Sequence, residues 1–88
     1  MFVVYILFSA SSGRTYVGFT NNIERRLTEH NIIETSGFTL RYRPWTLIYS
    51  EEFTTKADAM KHEKFYKTGM GREFVKKIVS AYLAKGSK

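Results

Sequence analysis

The sequence predicts a small α+β fold with three strands and three helices. Two apolar, β-branched and aromatic runs flank a Ser- and Gly-rich turn, a third such run follows the middle of the chain, and three segments repeat apolar residues at helical spacing. At 88 residues the chain can hold one domain and one modest core, so we expect a single domain over residues 1–88, without room for a separate specificity domain. The predicted strands cover residues 2–8, 14–20 and 47–53, and the predicted helices cover about 21–31, 56–68 and 73–83, with Gly69-Met70-Gly71 as the break between the last two.

The first two strands form a predicted hairpin across the Ser- and Gly-rich turn. If Phe8 lies opposite Gly13, then Tyr5 lies opposite Tyr16. Two tyrosines would therefore share one face of the sheet.

The first helical segment should direct one arginine toward the fold. Asn21 is its predicted N-cap, in a capping box with a glutamate three residues later. At about 100° per residue, His30 falls within the buried arc, Arg26 lies at its edge, and Arg25 and Glu29 point to water. Arg26 is thus the arginine that can face the interior.

The second helical segment carries a carboxylate where an apolar residue would be expected. By helical spacing, its inward stripe comprises Ala59, Met60, Glu63, Tyr66 and Lys67. Burying an ionised carboxylate is costly unless a cation or hydrogen-bond donors meet it. Glu63 therefore needs a partner, which could be a metal ion or, on pattern alone, Lys67 or Lys56 in an intrahelical pair.

Composition narrows the classes of function. The chain has no cysteine, which excludes disulfide scaffolds, thiol enzymes and thiolate zinc sites and makes the cytoplasm the expected location. The apolar run at residues 2–8 is too short to span a bilayer, so no membrane partner is expected. A net charge of +6 favours a polyanionic partner, with nucleic acid first, although Lys-rich helices are often basic merely for solubility.

The connection at residues 32–44 interleaves cations with aromatic residues. Arg41 and Arg43 lie beside Tyr42 and Trp45, a composition suited to contacting phosphates and stacking on bases. We expect nucleic-acid contacts from the two arginines and a core position for Trp45.

Dispersed motifs along the chain resemble one family. Val3-Val4-Tyr5, Tyr16-Val17-Gly18, the segment at residues 21–26 and Glu63 resemble the signature of the GIY-YIG nuclease superfamily in residue type, order and spacing. The run at residues 16–31 is similar to the small single-domain branch related to the nuclease half of the bacterial excision-repair incision subunit. The first motif lacks its opening Gly, as in that branch, and the sequence has no Asn after residue 31, where some members use one.

This resemblance implies a three-stranded antiparallel sheet flanked by helices and a metal-dependent endonuclease that hydrolyses phosphodiester bonds in DNA repair or processing. One Mg²⁺ or Mn²⁺ would bind through Glu63, with Tyr5 and Tyr16 lining the site. The ion would hold the scissile phosphate and lower the pKa of bound water.

The resemblance also implies roles for Arg26 and His30, whereas the roles of Gly18 and Lys67 follow from their chemistry and position. Arg26 would stabilise the charge that develops on the phosphoryl group, because a guanidinium is always cationic and can donate two bonds to paired oxygens. His30 would orient the water or a tyrosine, unless it is a core-edge histidine bonded to a carbonyl. Gly18 lets a ligand or side chain approach the strand closely. Lys67 would contact phosphate or screen the metal-binding carboxylate.

The expected partner is nucleic acid, DNA before RNA. The alternative function is a catalytically weak or inactive nucleic-acid binding module that acts with a larger protein partner.

Overall fold

The structure is a computed structural model that describes residues 1–33 and 41–85. Its elements are β1 (Phe2–Ser9), β2 (Arg14–Thr20), α1 (Ile23–Thr28), a π-helical turn (Glu29–Ile33), β3 (Thr46–Phe53), α2 (Lys56–Phe65) and α3 (Gly69–Ala84). The described residues form one 3-stranded antiparallel sheet in the order β2-β1-β3, flanked by the helices. The predicted fold class is confirmed.

The hairpin of β1 and β2 differs in register from the prediction. Tyr5 lies opposite Gly18, and Tyr16 lies opposite Leu7. The predicted pairing of Tyr5 with Tyr16 is therefore wrong by two residues. Because the difference is an even number and side chains alternate between faces, both tyrosines still lie on the same face of the sheet.

The turn between these strands explains the difference. β1 continues to Ser9, which pairs with Arg14, so the chain reverses over residues 10–13. The backbone N–H groups of Ser12 and Gly13 both donate to the Ser9 carbonyl, at 3.2 and 2.7 Å. Gly13 has a φ of 76°, a left-handed conformation that glycine adopts without steric cost.

Alternation along β1 divides the interior into two clusters, one on each face of the sheet. Val4 and Ile6 pack with Ala59 of α2, with Tyr66 at the C-cap of that helix and with Val75 of α3. On the opposite face, Tyr5 and Leu7 pack with Trp45, and Ile23 and Leu27 of α1 cover them. Trp45 is 3% exposed, which confirms its predicted core position.

The start of α1 lies one residue later than predicted. β2 extends through Thr20, whose hydroxyl accepts a hydrogen bond from the Asn22 backbone N–H at 3.1 Å. Asn22, and not Asn21, is the N-cap, because its side chain accepts from the Arg25 N–H at 3.0 Å. The helix then widens into the π-helical turn that carries His30.

The buried line of α2 differs in part from the predicted stripe. Ala59 and Tyr66 are buried, and Glu63 is partly buried with 17% of its side chain exposed. Met60 is 38% exposed and the Lys67 side chain is 56% exposed, so their predicted inward positions are wrong. Compared with the predicted stripe, the buried side of the helix is shifted toward His62, whose ring packs against aromatic neighbours.

The corner between α2 and α3 lies earlier than the predicted glycine break. The chain turns at Tyr66 and Lys67, and the hydroxyl of Thr68 caps α3 by accepting from the Gly71 N–H at 3.2 Å. A Cβ on Gly71 would lie 2.6 Å from the carbonyl carbon of Phe65. This glycine thus serves the close approach of two helices inside the corner and does not interrupt the chain.

Among the helices of the described ranges, none is both long and apolar enough to cross a membrane.

Candidate active site

A buried tyrosine and a buried histidine form the centre of the site. Tyr5 lies in the middle of the central strand, and His30 projects from the π-helical turn; each is 1% exposed. The phenol oxygen of Tyr5 lies 2.9 Å from Nε2 of His30, a hydrogen bond whose donor depends on the tautomer of the imidazole. This is a contact through which His30 can orient a tyrosine.

The second tyrosine packs against the same imidazole. The Tyr16 ring meets the His30 ring edge-on at a centroid distance of 4.8 Å, and it lies 6.3 Å from the Tyr5 ring. Gly18 makes this arrangement possible, because a Cβ at this position would lie 2.6 Å from the Tyr5 phenol oxygen. The close approach expected at Gly18 is therefore made by a side chain of the neighbouring strand.

Arg26 lies at the edge of this aromatic cluster. Its Nη1 donates to Oε1 of Glu29 at 2.8 Å, and 30% of the Arg26 side chain is exposed. Burial alone would lower the pKa of the guanidinium, but hydrogen bonds to Glu29 and Tyr5 outweigh that effect and raise it above its ordinary value. Arg26 therefore remains cationic beside the two tyrosines.

Glu29 does not point to water as the sequence predicted. Its side chain is 29% exposed and turns back to Arg26, with Arg25 3.7 Å from its other carboxylate oxygen. The helical spacing i, i+3 allows the pair, and the π-helical turn begins at this residue.

Arg43 shapes the turn that carries the histidine. Its Nε donates to the His30 carbonyl at 2.6 Å, and its Nη2 donates to the Glu29 carbonyl at 3.4 Å. Arg43 is half-buried, and these two hydrogen bonds give its guanidinium a structural role. Arg41, in contrast, is exposed. Nucleic-acid binding by either arginine stays a prediction.

Asn31 ties the same turn to β3. Its amide oxygen accepts from the Trp45 backbone N–H at 2.6 Å, and its amide nitrogen donates to the Trp45 carbonyl at 3.0 Å. Sequence reasoning did not identify Asn31 or Arg43 as supports of the site. These contacts join residues 13 or 14 positions apart, so helix or strand periodicity gives no signal for them.

Glu63 lies on the other side of the sheet from Tyr5. Its helix packs on the face that carries Val4 and Ile6, and neighbouring strand residues point to opposite faces. Oε2 of Glu63 accepts from Nζ of Lys67 at 2.6 Å. The intrahelical pair considered from the sequence is therefore present.

The direction of Glu63 follows from its neighbour on α2. His62 points toward β3, where its Nε2 lies 3.3 Å from Oε1 of Glu51. Glu63 is about 100° further around the helix and flanks the buried line on the opposite side, so it points toward β2, the strand of Tyr16. The structure thus brings four predicted residues together, namely Tyr5, Tyr16, Arg26 and His30, and places Glu63 on the helix that covers the opposite face of the sheet.

The donor set at Glu63 is compatible with one kind of metal site. Among the residues that the structure describes, no group of three or more His, Asp or Glu side chains could hold an ion. Mg²⁺ usually keeps several waters and binds through one or two carboxylates plus substrate phosphates. A single carboxylate completed by water and phosphate fits that pattern, and Oε1 of Glu63 is the oxygen not engaged by Lys67.

Comparison with protein families gives a match over most of the chain. Residues 1–76 match the family described as GIY-YIG catalytic domain. The match includes all of the residues proposed above for the site.

Similar proteins carry the name UPF0213. A UPF0213 protein from Limosilactobacillus reuteri is 38% identical over 68 residues, covering 75% of this chain and 70% of the relative. One from Bacillus licheniformis is 43% identical over 63 residues, covering 72% of this chain and 64% of the relative. One from Staphylococcus haemolyticus is 35% identical over 75 residues, covering 85% and 90%.

A solved structure supports the same architecture. The solution NMR structure of a UPF0213 protein from Bacillus halodurans matches with a TM-score of 0.52 and 27% sequence identity, covering 89% of this chain and 85% of that chain.

Proposed function

Because this chain belongs to the GIY-YIG family of nuclease catalytic domains, we propose that it hydrolyses nucleic-acid phosphodiester bonds with the help of one divalent metal ion, Mg²⁺ or Mn²⁺. The observation that carries the proposal is the convergence of two phenols, an imidazole and a guanidinium on one face of the sheet. Such a set can hold a phosphate and move a proton at the same place.

The two tyrosines differ in access to a substrate. Tyr5 is 1% exposed, whereas Tyr16 is only partly buried. We therefore assign Tyr16 to the contact with the attacking water and Tyr5 to holding the imidazole of His30 through its 2.9 Å hydrogen bond. An imidazole can accept a proton at one ring nitrogen and return it, and Nε2 of His30 lies within hydrogen-bond distance of the Tyr5 phenol, so His30 is assigned to hold the proton.

Arg26 is assigned to the phosphate. It lies at the edge of the aromatic cluster, and 30% of its side chain is exposed, so a phosphate can reach its guanidinium. The raised pKa keeps it charged, so it can stabilise the negative charge that develops on the phosphoryl oxygens.

Glu63 is assigned to the metal ion. An ion held there would polarise a phosphate that lies at the edge of β2, where Tyr16 and Lys67 line one cleft, and would lower the pKa of bound water. Lys67, which pairs with Oε2 at 2.6 Å, offsets the carboxylate charge in the free protein and can turn to a phosphate when substrate binds. Its side chain is 56% exposed, which leaves room for that rotation.

A second candidate is a nucleic-acid binding module with weak or no turnover, acting with a larger protein partner. The ion pair of Glu63 with Lys67, on a helix that packs against the sheet face opposite Tyr5, favours it. For either candidate we propose DNA before RNA as the ligand, a role in DNA repair or processing, and a cytoplasmic location.

The test compares two carboxylates of this chain. Purified wild type, Glu63→Gln and Glu52→Gln are incubated with branched, flapped, single-stranded and duplex DNA under Mg²⁺, Mn²⁺ or EDTA. Glu52 lies exposed on β3 and its substitution makes the same change in charge, so Glu52→Gln should cut like wild type. Glu63→Gln should fall to the background seen with EDTA.

The outcomes separate the candidates. Cleavage by Glu63→Gln at the wild-type rate would overturn the metal assignment. Metal-independent binding by all three proteins, with no cleavage of any substrate, would support the binding module. Parallel purification of the variants controls for contaminating nucleases.

A further inference from the structure

A cleft of about 590 Å³ runs along the outer edge of β2. β2 is an edge strand, since its neighbour in the sheet is β1. Thr15 and Val17 line one side of the cleft, and Val75 and Val79 of α3 line the other. We call it the β2–α3 cleft.

Three cations line this cleft, and its lining residues include no acid. They are Lys67 at the α2–α3 corner and Arg72 and Lys76, which lie one helical turn apart on α3 and so share a face. All three are exposed, and Lys76 makes only a long ion pair of 3.5 Å with Glu73. An exposed pair of this kind is worth little, so Lys76 can turn to an anionic ligand at small cost.

The cleft adjoins both halves of the candidate active site. Tyr16 lines it, and so does Lys67, whose ammonium group lies 2.6 Å from the carboxylate of Glu63. A chain lying in the cleft would therefore pass between the aromatic cluster on one sheet face and the carboxylate on the other.

We propose that the β2–α3 cleft binds a single strand of the nucleic-acid substrate next to the bond to be cut. The phosphates contact the three cations, and the sugars and bases lie against the valines and Tyr16. This inference rests on the proposed function for the identity of the ligand. A cationic groove with aromatic and apolar walls is the usual means of binding a single strand without reading its sequence.

The size of the cleft favours one strand over a duplex. Its volume lies in the range of clefts that enclose small organic ligands, about 300–1,000 Å³, which suits a nucleotide-sized segment. An acidic peptide is the rival occupant with similar charge.

Binding in EDTA tests the cleft without requiring cleavage. The probe is a short fluorescent oligothymidine, measured by anisotropy across a range of salt concentrations. Arg72→Ala/Lys76→Ala should lower the slope of log K against log salt by about 1.4, since each phosphate contact on a single strand contributes about 0.7. Lys77→Ala/Lys85→Ala removes the same charge from exposed positions of α3 and its C-cap outside the cleft, and should leave the slope unchanged.

A third variant removes space without changing charge. Thr15→Trp should fill part of the cleft and weaken oligothymidine binding about 10-fold or more, while a Trp is well tolerated in a strand. Circular dichroism of each variant verifies that it is folded.

Each outcome bears on the cleft separately from the reaction. Equal salt slopes for the two double variants would overturn the inference. It would also be overturned if Arg72→Ala/Lys76→Ala lost as much affinity for a duplex of the same sequence as for oligothymidine, or if polyglutamate competed as tightly as oligothymidine. If wild type cleaves but Arg72→Ala/Lys76→Ala keeps the wild-type KM and kcat, the cleft assignment fails while the nuclease proposal stands. If no metal ion supports cleavage and the predicted slope change is still seen, the cleft assignment stands and the nuclease proposal fails.

Discussion

Replacing Gly18 with alanine should disturb the active site through a single contact. A Cβ at this position would lie 2.6 Å from the phenol oxygen of Tyr5 and 2.9 Å from Cζ. To reach an ordinary separation of 3.4 Å, the phenol end must move away by about 0.8 Å. Tyr5 is 1% exposed and its oxygen is bonded to His30 at 2.9 Å, so the ring has little space and the movement strains that bond.

The expected cost of Gly18→Ala is about 2 kcal/mol in the free energy of unfolding. Overpacking a core costs roughly 1–3 kcal/mol and a lost hydrogen bond about 1 kcal/mol, while the lower entropy of the unfolded alanine chain returns about 0.4–1 kcal/mol. Turnover should also fall, because the phenol that holds His30 has moved.

Urea unfolding, monitored by circular dichroism, measures the change in the free energy of unfolding. Gly69→Ala is the matched control, since a Cβ there meets nothing within 4 Å, and it should stabilise the protein by about 0.4–1 kcal/mol through the lower entropy of the unfolded chain. Adding Tyr5→Phe to Gly18→Ala removes the nearest atom and should recover part of the loss. A Gly18→Ala protein as stable as wild type, with full activity, would refute the claim that this contact positions Tyr5.

Two further predictions concern residues around the site and the core. Arg43→Ala should lower the unfolding free energy by about 1–2 kcal/mol and reduce turnover through His30; urea unfolding measures the loss against Arg41→Ala, the exposed control, and equal stability of the two variants would count against this role. Burial, reinforced by the Tyr49 hydroxyl, raises the pKa of Tyr66, so the stability that the neutral phenol contributes is complete below about pH 10 and is lost at higher pH. In urea titrations above that pH, Tyr66→Phe should lose less unfolding free energy than wild type. Equal losses in the two proteins would count against this.

The sheet and its two faces could be predicted because their signals are local. Apolar runs mark the strands. Side chains alternate between the two faces of a sheet, so an even error in register leaves each side chain on its predicted face. This is why Tyr5 and Tyr16 share a face although the hairpin turn is longer than expected. The predicted break at the glycines was wrong for a related reason. A glycine is needed at position 71 because the Phe65 backbone lies close to it, and no pattern in the sequence reveals that contact.

The sequence predicted that Tyr5, Tyr16, Arg26 and His30 would lie near one another, but not the contacts among them and their neighbours; their roles in a reaction stay a prediction. Helical spacing identified Arg26 and His30, but the return of Glu29 to Arg26 depends on the start of a π-helical turn. The position of Glu63 depends on which sheet face α2 covers, a choice made by tertiary packing. Its pair with Lys67 is the local contact that i, i+4 spacing allows.

The bonds from Arg43 to His30 and from Asn31 to Trp45 have a consequence for engineering. They hold the chain on both sides of residues 32–42 through contacts made by residues outside that connection. The entropic cost of a longer connection grows only slowly with its length. A foreign peptide inserted between residues 33 and 41 should therefore leave the histidine in its place.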